Sequence, residues 1–325
     1  MEFKFYYGGG KTTEILLKSY SLTSISKNIL IMDGDNKEYL QSKIKFKMID
    51  GKVLVNFKSN NIYNDIKKLG NIDKIFVDNA SSLSIDKIND LYKACKLLNI
   101  PIELYGTRDK NGIRCMELAD EIIKLNDFNF QRKGSDLTFY YGTMNSGKTV
   151  KLIGNLEYLS NYYNTCLMKP ITDRDKHFIL SRLGLSKRAD FVIYNNTYIK
   201  SLIKNTKYNC ILIDEIQFLS KYQIMELKDI VLNYDIPIIG YGLKTDFMTN
   251  SFIGSEYMLR LADNIIKIDG QCALCGNQSN FNARYKKDTH EYINIGNQVE
   301  VDGINYNYDP LCPNCYIKHV LKLKK

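Results

Sequence analysis

At 325 residues, with 44% hydrophobic residues, the chain is long enough for two domains with sizeable cores. Its net charge of +9 comes from lysines scattered among Asn, Ile and Tyr, without a dense basic cluster; this argues against a nucleic-acid partner and suits a small anionic ligand. No apolar run is long enough to span a bilayer, and the opening "MEFKFYYGGG" lacks the parts of a secretory signal, so a soluble cytoplasmic protein with no membrane partner is expected.

Taken in order, the chain opens with an aromatic strand signal running into a glycine turn, "FYYGGGKTTE" at 5–14. Apolar runs follow in "IFVDNASSLS" (75–84), "NIPIELYG" (99–106) and "CMELADEIIKL" (115–125). A polar stretch over 128–136 reads as a linker. The same phrases then return in the same order: "FYYGTMNSGKTV" (139–150), "ILIDEIQFLS" (211–220), "DIPIIGYG" (235–242) and "YMLRLADNIIKI" (257–268). Amphipathic stretches such as "KYQIMELKDIVLN" separate the strand signals. Strand–helix alternation implies a parallel sheet. The fold class expected is therefore α/β, with two tandem P-loop-type parallel-sheet domains. The first covers 1–127, the linker 128–136, the second 137–268, and a zinc-binding portion 269–325.

The second copy carries the chemistry. Gly142, Thr143, Met144, Asn145, Ser146, Gly147, Lys148 and Thr149 spell GxxxxGKT between a predicted strand and a predicted helix. Such a loop aims backbone N–H groups at phosphate oxygens. Lys148 would reach the β- and γ-phosphates of ATP, and Thr149 would offer its hydroxyl to Mg²⁺. Asp214 and Glu215 end the apolar run "CILI". Asp214 suits the Mg²⁺-holding position, and Glu215 can take a proton from an attacking hydroxyl. In the first copy the loop keeps Gly10, Lys11 and Thr12 but is three residues shorter, and Asp78-Asn79 replaces the acid pair. Asparagine cannot accept that proton, so the first copy is expected to be inactive.

Of the eight cysteines, Cys95, Cys115, Cys166 and Cys210 stand alone in or beside apolar stretches and read as reduced core residues. Cys272, Cys275, Cys312 and Cys315 form two CxxC pairs, the ligand set of a structural Zn²⁺ site. The metal would clamp the ends of the segment 276–311, read as a long polar loop. His177, His290 and His319 have no ligand spacing and read as surface residues.

Together "FYYGTMNSGKT", "MKPITDRD", "IDEIQF", "GLKTDFMTNSF", "CALCGNQSNFNAR" and "VEVDGINYNYDPLCPNCY" resemble the type II thymidine kinases, zinc-containing P-loop enzymes that phosphorylate deoxythymidine with ATP. The resemblance implies Glu215 as general base, with Lys148 and Arg174 facing the transferring phosphate. It implies a nucleoside pocket of Met144, Phe218, Leu243, Phe247, Phe252 and Tyr308, closed by a lasso bearing Val301 and Gly303. This chain departs from the family pattern at Lys244, where an acid is usual, in the spacing of Asp173 and Arg174, and in having one lasso glycine, Gly303. A homodimer of fused chains forming a pseudo-tetramer, and feedback inhibition by a nucleoside triphosphate, are further expectations. A kinase for another pyrimidine deoxynucleoside and a non-catalytic nucleotide-binding regulator are the alternatives.

Overall fold

A computed structural model describes residues 1–8, 11–12, 14–15, 18–19, 28–33, 53–54, 61–125, 135–171, 177–181, 186–299 and 305–323. It divides into two compact units, Met1–Phe130 and Gln131–Lys325. The linker read over 128–136 lies mostly outside the described residues.

The first unit holds strands β1 (Phe3–Gly8), β2 (Ile29–Asp33), β3 (Val53–Leu54), β4 (Lys74–Asp78), β5 (Ile102–Gly106) and β6 (Glu121–Leu125). They form one sheet in the order β3-β2-β4-β5-β1-β6, and every pairing is parallel. The second unit repeats this with β7 (Leu137–Tyr141), β8 (Thr165–Pro170), β11 (Phe191–Ile193), β12 (Cys210–Ile213), β13 (Ile238–Gly242) and β14 (Asn264–Lys267). Its order is β11-β8-β12-β13-β7-β14, again all parallel. Between β8 and β11 the strands β9 (Phe178–Leu180) and β10 (Ser186–Arg188) pair antiparallel. The central strands are buried on both faces, which is why their sequences run apolar without alternation.

Each core packs one sheet face against helices. In the first unit Phe3, Phe5, Ile75, Val77, Ile102 and Leu104 meet Ile88, Leu91 and Ala94 of Ile85–Leu97. In the second, Leu137, Phe139, Ile211, Ile213 and Ile238 meet Ile224, Leu227 and Ile230 of Lys221–Tyr234. On the opposite face each unit stacks a tyrosine pair: Tyr6 on Tyr105 at 4.6 Å and Tyr140 on Tyr241 at 5.1 Å. In the second unit Asn155 donates to the Tyr241 hydroxyl. In the first, the Tyr105 hydroxyl donates to Glu103 at 2.6 Å.

The segment 276–311 departs from its reading as a loop. It builds a three-stranded antiparallel sheet in the order β16-β15-β17, from β15 (Phe281–Lys286), β16 (Tyr292–Ile293) and β17 (Tyr306–Leu311). Its residues look polar because Asn282 and Arg284 are themselves buried, on a strand that also buries Ala283 beside Leu311 and Tyr316. Polar side chains with dedicated partners replaced the apolar alternation that marks a half-buried strand.

Glu103 is the most heavily compensated charge of the first unit. Burial pushes its carboxyl up, but Lys18 and Lys74, at 2.9 and 2.6 Å, override that and hold it at about 2. The folded value is depressed, so the stabilisation is present above the unfolded value near 4.5 and is lost as pH falls toward 2. Glu103→Gln is expected to cost on the order of 3 kcal/mol at pH 7. Denaturant melts of the full chain followed by circular dichroism at pH 7 and pH 3 check this; a deficit that does not shrink at pH 3 would contradict it.

Candidate active site

In the second unit the strands β7, β12 and β8 end at one edge of the sheet. After Tyr141 the chain turns through the glycine loop and enters the helix Lys148–Leu159. Gly147 has a φ of 85° and Asn145 a φ of 64°, so the loop doubles back on itself before the helix starts. Gly142 admits no side chain: a Cβ there would lie 2.4 Å from Ser146 Oγ and 2.8 Å from the Ile268 carbonyl. Lys148 is buried and its Nζ donates to the Thr143 carbonyl at 2.8 Å and the Gly142 carbonyl at 3.3 Å, spanning the loop. The buried Ser146 hydroxyl has no hydrogen-bond partner among the described residues, a donor suited to an anion in the loop. The Met144 N–H is held by Asn282 Oδ1 at 2.7 Å, and the Thr143 hydroxyl lies 2.8 Å from that of Ser279. The metal-binding portion thus braces the glycine loop directly.

Asp214 follows β12 and is buried. Burial, then the neighbouring Glu215 charge, push its carboxyl up to about 7; the Glu215 N–H at 3.0 Å, Lys148 and Lys169 pull the other way. Lys169 sits near the end of β8, beside the register pair Ile213–Met168; it is buried and donates to the Phe178 carbonyl at 3.0 Å. Glu215 has a φ of 50°, a left-handed conformation that a long side chain seldom adopts. Two contacts hold it there, ahead of the turn Ile216–Phe218: its N–H is capped by Asp214, and Gln217 Nε2 donates to its carboxylate. A Cβ on Gly254 would come within 2.4 Å of the Ile216 carbonyl, so the helix behind fits only without a side chain there. Gln217 Oε1 also accepts the Leu243 N–H at 3.1 Å, tying the turn to β13's exit.

Around this edge lie the residues read as a nucleoside pocket. Phe218 is exposed and meets Phe252 edge-on at 5.8 Å. Met144, Leu243 and Tyr308 are half-buried, and Phe247 and Phe252 are buried. Phe247 is fixed from two sides, by the Arg284 guanidinium 3.7 Å from its ring centroid and by the Tyr316 hydroxyl on its carbonyl at 2.6 Å. Thr149 is half-buried at the helix start. Arg174, Val301 and Gly303 lie outside the described residues. Sequence reasoning gave no role to Lys169, Gln217, Asn282 and Arg284, although they lie within "MKPITDRD", "IDEIQF" and "CALCGNQSNFNAR", because their contacts are with distant partners.

The four CxxC sulfurs gather within 4.8 Å of one another, with Cys275 and Cys312 Sγ at 3.5 Å. Tetrahedral Zn²⁺ with bonds near 2.3 Å requires sulfurs about 3.8 Å apart, so the donor set and its spacing fit that ion.

In the first unit the lysine turns onto its own loop as Lys148 does, and the other matching positions are occupied differently. Lys11 Nζ donates to the Gly8 carbonyl at 2.9 Å, and the Thr12 hydroxyl is bonded to Asp78 at 2.5 Å. Asn79, with a φ of 46°, stands after Asp78 as Glu215 stands after Asp214. Asp33 is the register partner of Asp78, so a carboxylate faces the strand end where the second unit has Lys169. Asn79 Nδ2 donates to Asp33 at 3.1 Å.

Comparison with known proteins falls on the second unit. The thymidine kinase family model matches residues 135–316. A thymidine kinase of Listeria innocua is 35% identical over 193 residues, 58% of this chain and all of the relative. Thymidine kinases of Lactiplantibacillus plantarum and Haemophilus influenzae are 36% and 37% identical, over 56% and 54% of this chain and 95% and 93% of their own lengths. The chain is a member of the thymidine kinase family.

Proposed function

We propose that the second unit transfers the γ-phosphate of ATP to the 5′-hydroxyl of deoxythymidine. The observation that carries this is Glu215: a carboxylate held in a left-handed conformation beside a buried aspartate, at the sheet edge that also carries the glycine loop. Lys148 and the loop's backbone would hold the β- and γ-phosphates, and the buried Ser146 hydroxyl suits the same anion. Thr149 and Asp214 offer the hard oxygen donors that Mg²⁺ takes, and the ion when bound supplies charge neutralisation across the phosphates. Glu215 orients the 5′-hydroxyl and accepts its proton, while Gln217 keeps the carboxylate aimed. Lys169 adds a buried cation on the side where charge develops, and Arg174 is assigned the same task. Phe218, Phe252, Leu243, Met144, Phe247 and Tyr308 supply the walls for the base, with Val301 and Gly303 contributing main-chain contacts. Positioning and electrostatics, rather than covalent chemistry, provide the rate.

The first unit is read as a degenerate copy that does not catalyse. The shared strand order supports the duplication. Three changes support the loss: the Thr12 hydroxyl is bonded to Asp78, Asn79 replaces the base, and Asp33 stands at the register position that Lys169 holds in the second unit. Two chains are assigned to a homodimer in which the first units occupy positions of a pseudo-tetramer. The isolated buried thiols of Cys95, Cys115, Cys166 and Cys210 suit a reducing compartment, and the cytoplasm is the proposed location. Among the described residues no helix is long and apolar enough to cross a membrane.

A phosphotransfer assay with labelled ATP and a panel of thymidine, deoxyuridine and deoxycytidine tests the reading; turnover is expected on thymidine first. Lys148→Ala should abolish it and Lys11→Ala should leave it intact; the reverse pattern would move the engine to the first unit. Glu215→Gln is expected to lower kcat by about 10²–10⁴-fold, and unchanged turnover would remove Glu215 from its role. Metal analysis is expected to find zinc bound to the purified chain and lost from Cys312→Ser, with a lower melting temperature; a zinc-free, equally stable wild type would refute the metal assignment.

A further inference from the structure

Arg284 is the largest side chain that is fully buried, and it lies outside the phosphate machinery. It sits on β15 opposite Tyr308 of β17. Its guanidinium packs over the Phe247 ring at 3.7 Å and lies 5.2 and 5.6 Å from the Tyr308 and Tyr306 rings. Nε donates to the Tyr308 hydroxyl at 2.8 Å, and one terminal nitrogen donates to the Gln298 carbonyl at 3.3 Å. Gln298 in turn donates from its side chain to the Ser251 carbonyl at 3.3 Å, next to Phe252. Gly296 admits the guanidinium closely: a Cβ there would lie 3.2 Å from its other terminal nitrogen. One cation therefore touches or reaches three separate pieces of chain, at 247, 296–298 and 308.

Burying a guanidinium costs more free energy than burying an apolar side chain of similar size, so stability alone does not account for it. What an apolar residue lacks is direction. The planar fork fixes angles as well as distances, and its face stacks on an aromatic ring while its edges donate. Because Nε donates to the Tyr308 oxygen, the phenol proton must point away from Arg284.

We propose that Arg284 is a positioning residue of the nucleoside pocket, locking the Phe247 ring, the Tyr308 phenol and the Gln298 backbone into one rigid wall. This rests on the reading that the cleft binds a pyrimidine nucleoside. It assigns Arg284 to recognition of the base-bearing substrate and gives it no part in holding ATP.

The test compares wild type, Arg284→Met, Arg284→Lys and Tyr308→Phe as full-length, zinc-loaded proteins. Thymidine binding is measured by calorimetry without ATP, and KM for thymidine and for ATP by steady-state kinetics. Arg284→Met is expected to raise the thymidine Kd and KM by about tenfold or more while KM for ATP changes less than about twofold. Arg284→Lys keeps the charge but loses the fork and should recover only part of the affinity. Tyr308→Phe, which removes one acceptor and keeps the ring, should show the same selectivity at smaller size and covers the case in which Arg284→Met does not fold. Wild type that binds thymidine alongside variants that bind it equally would overturn the role of Arg284 alone. Variants that lose thymidine and ATP affinity together, with a matching fall in melting temperature, would reduce Arg284 to a structural residue. A wild type that binds no nucleoside would overturn the functional reading, and this inference with it.

Discussion

A carboxylate buried at the end of a strand keeps its charge only if cations or hydrogen bonds replace the water it has lost. Asp214 meets that demand only in part: burial and the Glu215 charge still push its carboxyl up, against the groups that oppose them. The Glu215 N–H, Lys148 from the glycine loop and Lys169 from the neighbouring strand all act on it. These groups come from three strand ends that only a parallel sheet brings to one edge. The glycine loop must be tight to deliver Lys148, and Glu215 must turn left-handed for its N–H to cap Asp214. The glycine loop, Asp214 and Glu215 are thus one electrostatic arrangement.

The first unit shows what happens to the same edge when the cations change. Asp78 keeps its N–H cap from Asn79 at 3.0 Å, and its carboxyl is pushed up chiefly by burial. Where the second unit has Lys169, the first has Asp33, so like charges meet across the strands. The unit resolves this internally. Thr12 donates to Asp78, Asn79 donates to Asp33, and Lys11 turns back onto the Gly8 carbonyl. Among the described residues, Thr12 and Asn79 thus direct their side-chain donors to Asp78 and Asp33. Elsewhere the unit has invested in Glu103 between Lys18 and Lys74, a charge set that has no counterpart at Ile239 and Asn155 of the second unit.

The glycine loop, the acid pair and the CxxC pairs were legible in the sequence because each is contiguous, and local geometry alone demands its residue types. The two parallel sheets were legible because buried parallel strands leave uninterrupted apolar runs, here twice over, but the order of strands within each sheet was not read from the sequence. Lys169 stands in the sequence only inside "MKPITDRD", and its action on Asp214 was not legible because it depends on the neighbouring strand. Gln217 and Asn282 were hidden for the same reason, since their partners at Leu243 and Met144 lie far along the chain. The sheet in the metal-binding portion escaped because its buried face is built from Asn and Arg, and alternation of hydrophobicity cannot report a polar residue that is buried with partners.

That polar sheet explains why the metal-binding portion is joined to the kinase core as it is. Packing by apolar contact alone would place it against the core without fixing its angle, because such contacts are not directional. Here the joints are directional. Asn282 bridges the Met144 N–H and the Thr245 carbonyl, the Thr143 and Ser279 hydroxyls pair, and Tyr316 donates to the Phe247 carbonyl. The cysteine cluster fixes the ends of the sheet, and these hydrogen bonds fix its orientation over the loop and the pocket wall. The cysteine cluster flanks the frame from which Asn282 reaches the glycine loop and Arg284 reaches Phe247 and Tyr308, so the cluster and the loop share one set of constraints.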